Sequence, residues 1–359
     1  MNFDVPSRTI YLTRHGSHAY GLATPASDLD IKGVCIEPKA YHLGYLNHFE
    51  QSERLANKGH PHDEVVYSFK KFVKLAAEAN PNIIEVLFSS EEDHLKVDSF
   101  GEKLLAVRDE FISKKARHTF SGYAHAQLKR IKGHRAWLLN PPAKEPTRAD
   151  FELPERTVIP ADQIDAARSL VAKKLEKWHF EDMSDLAPDT RILIQAVLEE
   201  IASEIGVTND EKWNAAGRSV GLSDNFLVIL DRERKYKAAS IEWQQYQNWV
   251  KTRNPVRAEQ ERKFGYDTKH GSHLLRLMRM CKEILEGKGV IVKRPDREDL
   301  LGVKLYGTKT YEELIYEAES LDAECNELYK TSLLRHAPDR IMLDKLVVQM
   351  IEDYLSTYG

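Results

Sequence analysis

The sequence predicts an α+β protein: a small mixed sheet with helices over residues 1–103, then a larger, mainly helical region over residues 104–359. Three observations lead there. Short β-type runs alternate with Gly and Pro turns in the first seventy or so residues. Beyond about Lys103, apolar residues recur at helical spacing. No period of about 20–50 residues and no low-complexity tract interrupts this plan, which excludes a repeat architecture.

The elements follow in order. Thr9–Thr13 suits a short strand, and Gly16-Ser17 suits a turn into a short helix. Asp30–Ile36 reads as a second strand, closed by Pro38. Gly59, His60 and Pro61 mark a turn before a third strand, Glu64–Tyr67. A helix follows from about Phe69 to Ala79, with Phe72, Val73, Leu75, Ala76 and Ala79 at helical spacing. Asn80-Pro81-Asn82 stops it, and an apolar run resumes over Ile83–Phe88. Phe111–Leu139 reads as helix, and the segment from Asn140 to Pro146 breaks it. A loop with Pro154 and Pro160 leads to a helix near Asp162–Trp178. Thr190–Ile205 is amphipathic, with Gly206 placed as its stop. Leu274–Leu285 is helical. So is Tyr311–Tyr329, whose Leu314, Ile315, Ala318, Leu321, Cys325 and Leu328 share one face.

Composition narrows the class. Apolar residues at 42% and charged residues at 30% give the profile of a globular protein. Cys35, Cys281 and Cys325 are scattered and odd in number, which points to reduced thiols and a cytoplasmic setting. No Cys/His set has zinc-ligand spacing. No apolar run reaches the ~18 residues a membrane span needs, and the N-terminus does not read as a signal peptide. The formal net charge is −4, yet Phe111–Lys144 contains no acid. Lys114, Lys115, Arg117, Lys129, Arg130, Lys132, Arg135 and Lys144 gather there, among Phe111, Phe120, Tyr123 and Trp137. Such a stripe suits phosphate contact and base stacking; a solvated basic helix face would look the same.

The segment that carries chemistry is Arg14–Gly33. Asp28 and Asp30 are two residues apart, so with Leu29 on a strand both carboxylates project from one face, roughly 6.6 Å apart at about 3.3 Å per residue. Carboxylates so placed can hold hard cations that also bind phosphate oxygens. Ahead of them, the backbone N–H groups and hydroxyl of Gly16-Ser17 can receive triphosphate oxygens at a helix start, and Gly21 allows close backbone approach.

Gly-Ser, a spacer and then Asp-x-Asp resembles the signature of the polymerase-β nucleotidyltransferase superfamily. The run from Gly16 to Val34, with Ser27 before the carboxylates, is more closely similar to the RlaP/YcgL-like nucleotidyltransferases linked to RNA repair. Asp63–Phe72, Asn80–Phe88, Lys269–Arg276 and Glu283–Gly287 fit the same family, so the resemblance spans most of the chain. It implies a polymerase-β-like core and metal-dependent transfer of NMP from an NTP, with two Mg²⁺ ions for which Mn²⁺ can substitute. It also implies a third carboxylate on a neighbouring strand. Asp63 leads, Glu64 is its immediate competitor and Glu53 comes third. Glu85 is assigned a supporting structural role.

His-Gly-Ser-His occurs twice, at His15–His18 and His270–His273, and only the first copy precedes Asp-x-Asp. The second opens a helix on which Lys269, His273 and Arg276 can reach the nucleotide or the acceptor. Catalytic and metal-binding work is thus expected at Asp28, Asp30 and Asp63. Nucleotide binding is expected at Gly16, Ser17, Ser27, Lys269, His273 and Arg276, and nucleic-acid contact at Lys129, Arg130 and Lys132. The partners expected are an NTP and an RNA acceptor, with no membrane. Nucleotidylation of a protein or small molecule, or nucleotide binding without turnover, are the competing readings; the basic stripe weighs against the former and the intact Asp28 and Asp30 against the latter.

Overall fold

The structure, a computed structural model, describes residues 3–25, 27–157, 160–180 and 209–358. It has two compact units. One joins Met1–Leu139 to Asn254–Gly359, and the other is Asn140–Arg253.

The first unit is built on a five-stranded mixed sheet. Its strands are β1 (Thr9–His15), β2 (Asp30–Cys35), β3 (Gln51–Arg54), β4 (Asp63–Ser68) and β5 (His94–Val97), ordered β3-β4-β2-β1-β5. β2 runs parallel to β4 and antiparallel to β1. Its helices include α1 (Gly16–Ala19), α2 (Phe69–Ala77), α3 (Pro81–Leu87), α4 (Ala116–Leu139), α5 (Pro255–Phe264), α6 (Thr268–Leu285), α7 (Tyr311–Thr331) and α8 (Arg340–Tyr358). The α+β class expected from the sequence is the one observed.

Several boundaries move for local reasons. β2 begins at Asp30, so Leu29 lies ahead of the strand and Asp28 sits on the approach to it. α2 stops at Ala77 because Ala79 takes a left-handed φ of 53°. Asn80-Pro81 ends one helix and starts the next: the Asn80 side chain caps Asn82 N–H, and Pro81 occupies the first turn, where its missing N–H costs nothing. The apolar run Ile83–Phe88 is therefore mostly α3. α6 starts at Thr268, capped by Asp267, which accepts from His270 N–H. Thr190–Ile205 lies outside the described residues.

α6 is the organising helix. It packs on α4 and α7 and buries Leu274, Leu275, Leu277, Met278 and Cys281 in one core with Ile10, Val34, Phe69, Phe72, Phe120 and Ile131. Gly271 is required for this packing, since a Cβ there would lie 2.9 Å from the Tyr266 ring. The three cysteines are buried free thiols. Among the described residues, no helix is long and apolar enough to cross a membrane.

The second unit contains helices Ala161–Phe180, Asn209–Ser219 and Asp224–Thr252. Ile164, Ala167, Leu227 and Leu230 form its described core, and Arg148 pairs with Glu233.

Candidate functional site

Sheet register sets the geometry of the carboxylates. Asp30 opens β2 opposite His15, the last residue of β1, and beside Asp63, the first residue of β4. Registered neighbours on parallel strands present side chains to the same face, so Asp30 and Asp63 share a face while Glu64, beside Ile31, turns to the other. Glu64 meets Arg54 at 3.5 Å and His62 at 3.7 Å. Asp63 Oδ1 accepts the Ala56 N–H at 2.7 Å.

The chain leaves β1 through Gly16, whose φ of +64° favours glycine, and enters α1. Leu22 N–H returns to Ser17 O at 2.8 Å and closes the turn. Ser27 Oγ accepts Thr24 N–H at 2.8 Å, which tightens the loop carrying Asp28.

Gly16, Ser17, Ser27, Asp28, Asp30, Lys269, His273 and Arg276 line one cavity of about 550 Å³. Of the residues expected at the nucleotide and metal site, only Asp63 lies off this lining, one strand away. Lys129, Arg130 and Lys132 project from α4 and are exposed. Arg130 lines a neighbouring cavity instead.

Sequence reasoning missed three cations. Lys32, Arg257 and Lys304 join Lys269 and Arg276 on the cavity wall, so five cationic side chains surround two carboxylates. Lys32 had a signal: it stands two residues after Asp30, on the same face of β2. Arg257 and Lys304 lie in unremarkable segments and arrive by tertiary packing alone. The crowding shows in the proton affinities. Burial, then the neighbouring Arg257, holds Lys269 below the usual lysine range. Burial lowers Lys304 too, and Lys269 and Arg257 lower it further. Lys32 is lowered by burial. Asp30 moves the opposite way, raised by burial and by Asp63 and Asp28 in spite of Lys32. The cavity wall thus carries an excess of positive charge, five cations to two carboxylates.

Beneath the cavity lies a buried polar cluster. Arg276 donates to Glu85 and stacks 3.8 Å from the Tyr20 ring centroid, and the Tyr20 hydroxyl also donates to Glu85. His15 lies 3.8 Å from the same carboxylate. Glu85 thus has the supporting position expected of it. Arg276, expected among the nucleotide contacts, spends part of its guanidinium on this cluster. His15 and His273 are held well below the ordinary histidine range by burial and then by nearby cations, Lys32 for the first and Arg276 for the second.

The two His-Gly-Ser-His copies do different work. Gly16 is needed for its left-handed turn, and Gly271 for helix packing. In the second copy Ser272 donates to Leu300 O and His270 Nδ1 lies 2.7 Å from Gln127 Oε1, which leaves His273 facing the cavity.

Among the described residues, one set of three potential metal-ligating side chains gathers within 4.8 Å: His134, Glu261 and Asp267. It shares no residue with the expected set. Glu261 and Asp267 are buried, and Asp267 is already engaged as the cap of α6.

Residues 2–138 match the model of the RlaP family, described as an RNA repair pathway DNA polymerase beta family. The chain is also 23% identical to an uncharacterized 38.9 kDa protein from the nrdC-mobD intergenic region of Enterobacteria phage T4, over 98% of this chain and 99% of that protein. No solved structure matches. The family match covers the sheet, the Gly-Ser turn and the carboxylates; it stops short of α5 and α6, which complete the cavity.

Proposed function

We propose that the protein is a metal-dependent nucleotidyltransferase that moves NMP from an NTP to an acceptor hydroxyl, with an RNA end as the acceptor. The observation that carries this reading is the pairing of Asp28 and Asp30 with the Gly16-Ser17 turn in one cavity walled by five cations. In this reading residues 1–103 supply the catalytic groups, the Gly16-Ser17 turn and Lys32, and residues 104–359 supply the remaining contacts to nucleotide and acceptor.

The residues fit a divalent metal. Asp28 and Asp30 offer hard oxygen donors, and burial, with the neighbouring Asp63 and Asp28 carboxylates adding to it, raises the proton affinity of Asp30 in spite of Lys32. Asp28, Asp30 and Asp63 would hold two Mg²⁺ ions. When bound, such ions lower the pKa of a hydroxyl and stabilise a leaving pyrophosphate.

The chain's own side chains do the rest. Lys32, Lys269, Lys304 and Arg257 bind the triphosphate, and the Gly16-Ser17 backbone fixes its end. His273, neutral at physiological pH, adds no further charge. The acceptor oxygen forms a bond to the α-phosphorus while the bond from that phosphorus to the oxygen bridging the β-phosphate breaks. The electron pair leaves with pyrophosphate, and the acceptor proton passes to the carboxylate group of Asp28, Asp30 and Asp63. The test is incubation with each labelled NTP, Mg²⁺ or Mn²⁺, and total RNA. Label in RNA is expected; label in protein, or in neither, overturns the acceptor or the activity respectively.

A further inference from the structure

A second cavity, of about 670 Å³, adjoins the first and shares Tyr20, Asn82, His273 and Arg276 with it. Its far wall is one face of α4: His118, Thr119, Gly122, Tyr123, Ala126, Gln127 and Arg130. Other faces of the same helix carry Phe120, Ala124 and Ile131 into the core. The cavity strip is therefore polar and, at its centre, small.

Gly122 is the informative residue. A glycine in mid-helix is destabilising relative to alanine, and nothing nearby demands one, because a Cβ at Gly122 would meet no atom within 4 Å. The contrast with Gly271, where a Cβ would strike Tyr266, is direct. What the missing side chain leaves is open space along the cavity wall. Next to it, Tyr123 is 39% exposed, and its hydroxyl is fixed by the Asn80 amide at 3.0 Å. About two turns further on, Arg130 makes no ion pair among the described residues. Four cations of the stripe are ion-paired: Lys115 with Glu78, Arg117 with Asp322, Arg135 with Glu312 and Lys144 with Asp150. Lys129 and Lys132 are exposed like Arg130 but lie off this cavity's lining.

We propose that this cavity seats the last nucleotides of a single-stranded RNA acceptor, with a base against the Tyr123 ring and a phosphate at Arg130. The terminal hydroxyl reaches Asp28 and Asp30 past Tyr20 and His273. The proposal rests on the nucleotidyltransferase reading. An aromatic face beside an uncommitted guanidinium is the pairing that binds single strands without reading their sequence.

The test compares wild type with Gly122→Leu, Tyr123→Ala and Tyr123→Phe. Affinity is measured for a fluorescent single-stranded RNA oligonucleotide and, separately, for a non-hydrolysable NTP analogue with Mg²⁺. Gly122→Leu should fill the strip and weaken RNA at least tenfold; leucine is a better helix former than glycine, so the fold should persist by circular dichroism. Tyr123→Ala should weaken RNA similarly and Tyr123→Phe should restore it, since stacking survives the loss of the hydroxyl. Analogue affinity should hold throughout. Wild-type RNA affinity in folded Gly122→Leu overturns the proposal and leaves the nucleotide site untouched. Loss of analogue binding in wild type itself sinks the underlying reading. Wild type that binds the analogue, ignores RNA and labels a protein overturns the RNA occupant.

Discussion

A Cβ on Gly16 would lie 2.4 Å from Oδ2 of Asp30. The glycine that opens the turn and the carboxylate that opens β2 thus stand so close that any Cβ at residue 16 would displace the Asp30 side chain. Gly16→Ala would strain a φ of +64° and push into the carboxylate at once. The left-handed backbone alone costs about 1–2 kcal/mol. We expect a lower urea midpoint and at least a tenfold loss of label transfer with secondary structure retained; wild-type transfer would separate the turn from the chemistry.

Asp28→Asn and Asp30→Asn should each abolish transfer, by at least about a hundredfold, the scale of groups aimed at reacting charge. Stability adds a second signature for Asp30. Its folded pKa lies above the unfolded value, so its contribution to stability is complete at low pH and is lost as pH rises through the folded pKa. At neutral pH and without metal, Asp30→Asn should melt no lower than wild type. Added Mg²⁺ should raise the wild-type midpoint and leave that of the variant unchanged.

Separate Asp63→Ala and Glu64→Ala enzymes should differ sharply in turnover and in metal dependence. Register gives the reason: residue 63 stands beside Asp30 and residue 64 beside Ile31. Asp63→Ala should be the dead one. A dead Glu64→Ala with an active Asp63→Ala would mean that the metal site uses the opposite face of β4.

Acid should destabilise the protein before its carboxylates titrate. His15 and His273 are depressed in the folded state, so below about pH 6.5 the unfolded chain binds more protons than the folded one. Stability is complete above that pH and falls as pH drops toward the folded values, by about 1.4 kcal/mol per pH unit for each histidine while the gap persists. Urea midpoints at pH 7.5 and 5.0 check it. A wild-type slope in both His15→Asn and His273→Gln would remove these two residues as its source.

Replacing Lys129, Arg130 and Lys132 with Ala should weaken RNA binding and flatten its salt dependence. For single strands each lost phosphate contact removes a log–log slope of about 0.7, so three contacts would remove about 2. An unchanged affinity and slope would take these cations out of the interface.

Legibility in the sequence followed the range of the forces involved. β1, β2 and α1 depend on local alternation and turn chemistry and could be read directly, but the strand was expected to take in Leu29 and starts instead at Asp30, leaving Asp28 on the approach. β3 and β5 were not foreseen: they are four-residue edge strands, Gln51–Arg54 and His94–Val97, partly open to solvent and without an apolar rhythm. α3 was half-seen, because Asn80-Pro81 signals a stop as clearly as a start. Arg257 and Lys304 gave no local sign, since only the packing of α6 and its neighbours brings them to the carboxylates. The basic stripe looked uniform in sequence; the structure divides it into ion-paired cations, a buried Lys114 over the Tyr329 ring, and the outward set at Lys129, Arg130 and Lys132.

The cavity wall is drawn from two segments far apart in the sequence, His15 to Asn82 and Asn254 to Leu305, and this orders events on the ribosome. The Gly16-Ser17 turn, the carboxylates of Asp28, Asp30 and Asp63 and α4 have all been synthesised by Leu139, whereas α6 begins at Thr268. At about 5–20 residues per second, the N-terminal portion waits on the order of ten seconds for its missing wall. During that interval Tyr20, Gly21 and Leu22 lack the partners that later hold their carbonyls, Arg294, Arg297 and Lys304. A nascent chain of this length would carry the carboxylates with only Lys32 of the five cations, so the full wall for a nucleotide is complete only once Lys304 has been made.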